Sequence, residues 1–513
     1  MAIERRLLRG LRLSPIAAVL SLPIVPSAQA APWQFVPSVE VRDTWSDNAR
    51  LRPDGQASAD NISEVLPGFV LSTDGPRLKV KLDYSLDALT YQREHDQDTL
   101  LHNLQGQLNG ELIANWLFLD ATALMAQANI NAFGPEFIDD TSATSNRAQV
   151  RATHISPYLR HRLGTWATME VRYARERFSS SDNALASSST DRASATLASG
   201  SAFSTLGWGA HYNAERTSYA GSDSLNNSNY GVDLRYALWP TLALTASAGY
   251  ERYGYAALLA PAEGASWLAG FDWHPSSRTT LDVSVGHRYY GSTYALSASL
   301  RGRRTVALLS YNEDVTTTQA QFLGSQSVNT SDFLDKLWTT SIPDAAARRD
   351  AIAAFIADTG LPATISGAVN EFSNRYFLQK TLQGSLALQG ARHTGMLTVY
   401  SSRRSPQSAS LLADDPTAGA ALDDGLSTRQ LGLQGLWRWS VTAHTAATLS
   451  LGADRATTDG SGASSRDISL RLALNHQLSR HLHASFEVRN LRQRSSNSAV
   501  RENALAVGLR ADF

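Results

Sequence analysis

The sequence predicts an all-β protein: a transmembrane antiparallel β-barrel of about 22 strands (range roughly 18–24), with a short helical segment in one long outer loop. Three observations carry that prediction. The chain ends on a run whose alternate residues Leu505, Val507, Leu509, Ala511 and Phe513 are apolar, against Ala504, Ala506, Gly508, Arg510 and Asp512. Alternating runs of about ten to fourteen residues repeat from Trp33 to the carboxyl end. The connections between them are short and long by turns. Strand side chains have a period of two, so each run has an apolar and a polar face. In a barrel the apolar face meets lipid. A soluble sandwich would alternate as well, with its apolar faces stacked inward.

The amino end comes first. Arg5, Arg6, Arg9 and Arg12 precede or enter an apolar run from Leu11 to Val25, broken by Pro15 and Pro23, and Ala28-Gln29-Ala30 follows. A basic start, a short apolar stretch and an A-x-A site describe a secretory signal peptide over 1–30, cleaved after Ala30. The alternative, a membrane anchor, needs a longer unbroken run. The expected mature chain, 31–513, is a single barrel domain. The signal region carries +3 of a whole-chain −1, leaving −4 for the rest, which gives no nucleic-acid footprint. There is no cysteine. An exported chain without disulfides must hold itself by hydrogen bonding and packing, as a closed barrel does.

The runs then follow in order, among them 34–46, 78–91, 147–160, 228–237, 304–313, 394–402, 467–478, 482–491 and 501–513. Alternation is clean in Val80, Leu82, Tyr84 and Leu86 against Lys81, Asp83 and Asp87, and in Leu482, Ala484, Phe486 and Val488 against His483, Glu487 and Arg489. Tight turns such as Ala114-Asn115, Trp239-Pro240 and Ser479-Arg480 follow the even-numbered runs. Long polar connections such as 47–60, 130–145, 312–375 and 403–426 follow the odd-numbered ones, Tyr289-Tyr290-Gly291 being the short exception. Outer-membrane barrels have short periplasmic turns and long outer loops, whereas a sandwich has no reason to sort its loops by parity. Both termini are thereby expected at the periplasmic end. Trp33, Trp116, Trp166, Trp208, Trp239, Trp273, Trp437 and Trp439 lie beside turns, as in interfacial girdles; core tryptophans are the alternative.

One loop, 312–375, differs from the rest. Pro343 suits a first helical position, Gly360 a helix end, and Ile352, Phe355 and Ile356 share one helical face. An amphipathic helical loop could enter the lumen as a constriction, cap the mouth, or have no gating role.

No catalytic constellation stands out: there is no cysteine cluster, no H-E-x-x-H, no G-x-x-x-x-G-K and no G-x-S-x-G context. The protein is therefore expected not to be an enzyme, with no cofactor and no metal site. Asp54 and Asp60, or Asp414, Asp415, Asp423 and Asp424, could bind calcium at the lipopolysaccharide surface, or be solvated loop charge. The lumen-lining candidates are Asp83, Asp87, Glu170, Arg172, Asp233, Arg235, Arg471, Glu487, Arg489 and Arg510. Lumen charge tunes which solutes pass, and mixed signs can equally be ion pairs bracing the wall. Phe513 is the expected insertion signal, read by the barrel-insertion machinery.

Several segments resemble one family: Val41-Arg-Asp-Thr-Trp-Ser-Asp-Asn48-Ala-Arg-Leu51, Leu66-Pro-Gly68, Arg77-Leu-Lys-Val-Lys-Leu-Asp-Tyr-Ser-Leu86, Ile155-Ser-Pro-Tyr-Leu-Arg160 and Asn374-Arg-Tyr-Phe-Leu-Gln-Lys380. They look like the outer-membrane barrel proteins of the PEP-CTERM/exosortase system, encoded among exopolysaccharide genes of Gram-negative bacteria. The resemblance implies an outer-membrane barrel working in exopolysaccharide production or export, as channel or accessory scaffold. The implied partners are outer-membrane lipid and lipopolysaccharide, extracellular polysaccharide and its export proteins. The motifs are strand and turn signatures and bring no functional residues with them. A general or small-solute porin and an outer-membrane lipid- or polymer-modifying enzyme are the alternatives. A TonB-dependent receptor is disfavoured, since the first run begins a few residues after the cleavage site and leaves no room for a plug domain.

Overall fold

The computed structural model describes residues 32–513 apart from 182–184, 221–223, 255–261, 324–329, 340–341, 343, 345–346, 349–350, 353–354, 357–372, 409–425, 461 and 497. The expected signal peptide lies outside the described residues.

Twenty-two strands close on themselves. In chain order they are β1 Gln34–Ser46, β2 Asp60–Asp74, β3 Leu78–Tyr91, β4 Thr99–Ile113, β5 Leu117–Asn129 and β6 Arg147–Leu163. Next come β7 Ala167–Ser180, β8 Ser188–Ser199, β9 Leu206–Tyr219, β10 Leu225–Trp239, β11 Leu242–Tyr253, β12 Glu263–Ser276, β13 Thr279–Arg288, β14 Gly291–Arg301 and β15 Thr305–Thr316. Two short helices follow, α1 Thr318–Leu323 and α2 Thr330–Trp338. The ring is completed by β16 Phe377–Gln389, β17 His393–Pro406, β18 Thr428–Ser440, β19 Thr445–Thr458, β20 Ser464–Gln477, β21 Leu482–Ser495 and β22 Ala499–Asp512. Sequence neighbours pair antiparallel, and β22 returns to β1 in a register running from Ser38↔Asp512 to Ser46↔Ala504. With no free edge, every strand has a hydrogen-bonded neighbour on both sides.

The apolar face of each strand points outward. Leu505, Val507 and Leu509 are 41, 54 and 47% exposed, and the same holds for Val232 and Leu234, Leu470 and Leu472, and Phe486 and Val488. Such a belt far exceeds the few hundred Å² of contiguous apolar surface a soluble monomer tolerates. The sandwich alternative fails on this point, because the apolar faces are bare rather than stacked. No helix among the described residues is long and apolar enough to cross a membrane; the crossing is made by strands. Trp33, Trp116, Trp166, Trp239 and Trp273 stand exposed at the short-turn end, and Trp45, Trp267, Tyr230 and Tyr294 toward the other. His393, Trp437 and Trp439 stack side by side in the lower ring.

Several strands outrun the alternation that predicted them, and they do so at the long-loop end. β17 reaches Pro406 and β21 reaches Ser495, while β10 begins at Leu225 and β20 at Ser464. Beyond the lipid belt both faces are wet, so the apolar/polar contrast fades while the hydrogen-bond ladder continues.

Candidate functional site: the lumen and two loops folded into it

Twenty-two strands spaced ~4.8 Å apart and tilted ~40° enclose a ring roughly 40 Å across. Wall side chains cannot fill that width. Two of the long loops enter it instead.

The first is the 130–146 connection. Phe137 and Ile138 pack against Leu51, Leu491 and Val500. Asp139 sits between two guanidiniums, Arg489 Nη1 at 3.2 Å and Arg42 Nη1 at 3.6 Å. Arg489 also donates to Thr141 Oγ1 at 2.5 Å and meets Glu502 at 3.2 Å. Glu502 in turn accepts from Ser46 Oγ at 2.8 Å. The Glu136 N–H donates to Gln493 Oε1 and the Glu136 carbonyl accepts from Gln493 Nε2. The Tyr91 hydroxyl donates to the Thr141 carbonyl at 2.9 Å. The loop is thus seated on β21, β22, β1 and β3.

Burial by itself would raise the Asp139 carboxyl, but Arg489 and Arg42 overcome it and hold the group well below the usual carboxylate range. Its neighbour Asp140 is pushed upward, by burial and then by the Asp139 charge. Glu136 is pushed up to about 8 by burial, with Asp467 and Asp454 adding to it.

The second is the 312–375 connection. Helix α2 buries Phe333, Leu334, Leu337 and Trp338 against Val306, Ala387, Met396 and Leu436 on the inner wall of β15 to β18. Ile352 and Phe355, two members of the face expected from sequence, are buried in the same cluster, and Ile356 packs against it. Trp338 meets Phe355 edge-on at 5.2 Å. Pro343 and Gly360 lie outside the described residues. Helix α1 extends to the far wall, where Phe322 stacks on Phe178 of β7 at 5.5 Å. Gln319 donates to the Ala186 carbonyl, and the Ala186 N–H donates to Asn374 Oδ1. The described parts of the loop thus lie inside the barrel, α1 at β7 and α2 on β15 to β18, rather than over its mouth.

All ten lumen candidates lie at inward positions of their strands. Glu170 and Arg172 come together with Asp120, at 3.1 and 3.0 Å from Arg172, and Arg160 joins Glu170 at 2.7 Å. Arg471 pairs with Glu487 at 2.6 Å. Asp233 and Arg235 do not pair with each other; they meet His211 at 3.0 Å and Asp272 at 3.4 Å. Arg510 holds Asp512 at 2.9 Å. Asp87 is buried beside Glu64, and Asp83 is exposed to the lumen. Arg489 differs from the others because, besides Glu502 of β22, it holds the loop residue Asp139. Most of these charges therefore brace the wall.

Sequence reasoning did not find Arg42, Glu64, Glu502 or the docking of 130–146. The one available signal was Phe137-Ile138 inside a connection that read as polar. Of the acidic loop residues, Asp60 accepts the backbone N–H groups of Asn61, Arg93 and Glu94, and Asp54 pairs with Arg501 at 3.3 Å. Asp414, Asp415, Asp423 and Asp424 lie outside the described residues. Among the described residues no three His, Cys, Asp or Glu side chains converge to hold a metal. Phe513 is 72% exposed, and its N–H donates to the Pro37 carbonyl at 2.9 Å.

The closed 22-stranded ring, the apolar belt and the loop-filled lumen define an outer-membrane β-barrel. No protein-family model matches the chain, and no curated protein matches it in sequence. Solved structures match in fold. The siderophore receptor PirA from Pseudomonas aeruginosa aligns over 94% of this chain and 80% of its own at 11% identity, with a TM-score of 0.43. PirA from Acinetobacter baumannii covers 95% and 81% at 8% identity and 0.47. The ferric citrate transporter FecA in its unliganded form covers 95% and 80% at 10% and 0.40. The likeness is one of barrel architecture.

Proposed function

We propose that this barrel is a loop-gated passage for extracellular polysaccharide, working in exopolysaccharide production or export. The observation that supports it best is that the described parts of the 312–375 loop are seated inside the barrel, α1 against β7 and α2 against β15 to β18. A ring roughly 40 Å wide is far more than a small solute needs. An extended polar chain needs width and a hydrogen-bonding wall, and it needs closure when idle. Here the wall carries side-chain amides, hydroxyls and braced charges, and closure comes from loops seated by side chains rather than by a strand. Opening then requires only that a loop leave its seat, with the sheet intact.

A clean deletion of the gene is expected to lower surface polysaccharide, and normal polysaccharide in that strain would overturn the reading. The second reading, a small-solute porin, is favoured by the polar lumen alone. Planar-bilayer recording separates the two. The gated passage predicts low, flickering conductance that becomes large when residues 318–372 are replaced by a short linker. A large steady conductance in the unaltered protein is the porin result.

A further inference from the structure

The exterior of β17 to β22 carries a band of arginines at the long-loop end. Arg403, Arg429, Arg455, Arg466, Arg492, Arg494 and Arg501 are all exposed, and all sit at outward positions of six consecutive strands. The strand registers set like charge against like charge. Arg403 faces Arg429, Arg455 faces Arg466, Arg466 faces Arg494, and Arg492 faces Arg501. Direct cross-strand partners have Cβ atoms about 5 Å apart, where like charges repel.

Inside the barrel Arg172, Arg192, Arg288, Arg471 and Arg489 all meet carboxylates. On β7 and β11 the outward Arg175 and Arg252 meet Asp191 at 3.2 Å and Glu263 at 3.4 Å. Among the described residues only the two ends of the band find carboxylates, Arg403 with Asp459 at 2.8 Å and Arg501 with Asp54 at 3.3 Å. Among the described residues Arg429, Arg455, Arg466, Arg492 and Arg494 have neither an ion pair nor a side-chain hydrogen bond. A repulsive row with no counter-charge among the described residues calls for an anion from outside.

The depth of the band identifies that anion. On β18, β19 and β20 the arginine stands just beyond the lipid-facing apolar residues, Arg429 above Leu431, Arg466 above Ile468 and Leu470, Arg455 above Leu451 and Ala453, and on β17 Ser401 separates Arg403 from Val399. On β21 and β22 one further step intervenes, where Asn490 and Asn503 bond to each other at 2.7 Å. Two residues along a strand advance ~7 Å, which carries the guanidinium from hydrocarbon to headgroup level. We infer that this band binds a phosphorylated glycolipid of the outer leaflet, its phosphates bridging guanidiniums of adjacent strands. Planar guanidinium forks suit phosphate, and bridging turns the cross-strand repulsion into attraction. The band would fix which wall of the barrel faces ordered lipid, whatever passes through the lumen.

The test uses the full-length protein in a zwitterionic detergent, with diphosphoryl lipid A, fully dephosphorylated lipid A and phosphatidylglycerol as probes. Binding is read by native mass spectrometry and by the temperature at which the compact band on a gel converts to the unfolded one. Diphosphoryl lipid A should be retained and should raise that temperature, and the other two probes should do neither. The R455Q/R466Q/R492Q/R494Q variant should lower retention by about tenfold or more, as expected when several charge-assisted hydrogen bonds to phosphate are removed together. An R177Q/R216Q variant, altered outside the band, should bind as the unaltered protein does. Equal retention by the fourfold variant overturns the assignment. So does equal binding of phosphatidylglycerol, which would show plain anionic attraction, or of the dephosphorylated lipid, which would show acyl-chain packing. If the fourfold variant does not fold, the three lipids on the unaltered protein still decide the matter.

Discussion

Arg489 is the residue on which the first loop turns. It is 3% exposed and satisfies Asp139, Glu502 and Thr141 at once. Removing one member of a buried ionic group leaves the others charged and unpartnered, typically at a cost of ~3–5 kcal/mol. Arg489→Met should therefore release 130–146 from the lumen while the strands stay paired. Hydrogen exchange would show lost protection over the loop amides with unchanged protection in β21 and β22. Protection that survives in the loop would show that Phe137 and Ile138 seat it without the charge. Glu136 contributes to the pH response of the same seat, in the same direction as Asp140. Its carboxyl is pushed up to about 8 when docked, against an ordinary value of 4.5. The docked loop therefore holds the proton more tightly than the free loop does. Docking gains that contribution in full below about 4.5 and loses it as pH rises toward 8. Asp139 works the other way: its docked value is depressed, so its contribution is present above about 3.8 and is lost in acid. Loop protection, corrected for intrinsic exchange, should fall between about pH 5 and 8 in the native protein. Glu136→Gln should flatten that slope, and a slope unchanged in the variant would remove Glu136 from the account.

At the scale of the element, the strands were legible and the loops only partly so. Alternation is a local property, so runs such as 34–46 and 78–91 coincide with β1 and β3. The amphipathic face of Ile352, Phe355 and Ile356 is local too, and it showed that part of 312–375 had something to pack against. Which wall it packs against is not a local property. The 130–146 loop was illegible for the same reason: Glu136 and Gln493 lie 357 residues apart, and no periodicity records such a pair. Lumen charges could be placed on the inner face from sequence, but their partners depend on strand register. Thus Asp233 meets His211, and Arg235 meets Asp272 two strands away. Helix α2 gives the element its test. Leu334 is fully buried against the wall, and Leu334→Asp places an unpaired charge there, which the docked state does not tolerate. The loop should leave its seat, and single-channel conductance should rise toward that of the linker replacement. Leu478→Asp, on an exposed turn residue, serves as the control. Equal conductance in the two variants would mean that α2 does not obstruct the passage.

At the scale of the whole molecule, closure and insertion separate thermodynamics from kinetics. The lipid belt is thermodynamic. Val507 lies at the middle of the outward face of β22, and Val507→Lys should cost ~2–4 kcal/mol in reversible folding into bilayers, the range for a cation near the midplane. Phe513 is different. It lies one residue past the last β1–β22 pair and is 72% exposed, with only its backbone N–H engaged. Replacing its side chain removes no buried contact, so Phe513→Ser should leave folded stability within about 0.5 kcal/mol, as for other surface changes. Any defect must therefore arise on the way to the folded state. If the terminal ring marks the strand for the insertion machinery, the variant should accumulate less compact barrel in the outer membrane of living cells. It should nevertheless refold from urea into synthetic bilayers with the yield of the unaltered protein, since no machinery is present there. Full assembly in cells would deny Phe513 the signalling role. A matching loss in synthetic bilayers would place its effect in closure of the β1–β22 seam instead.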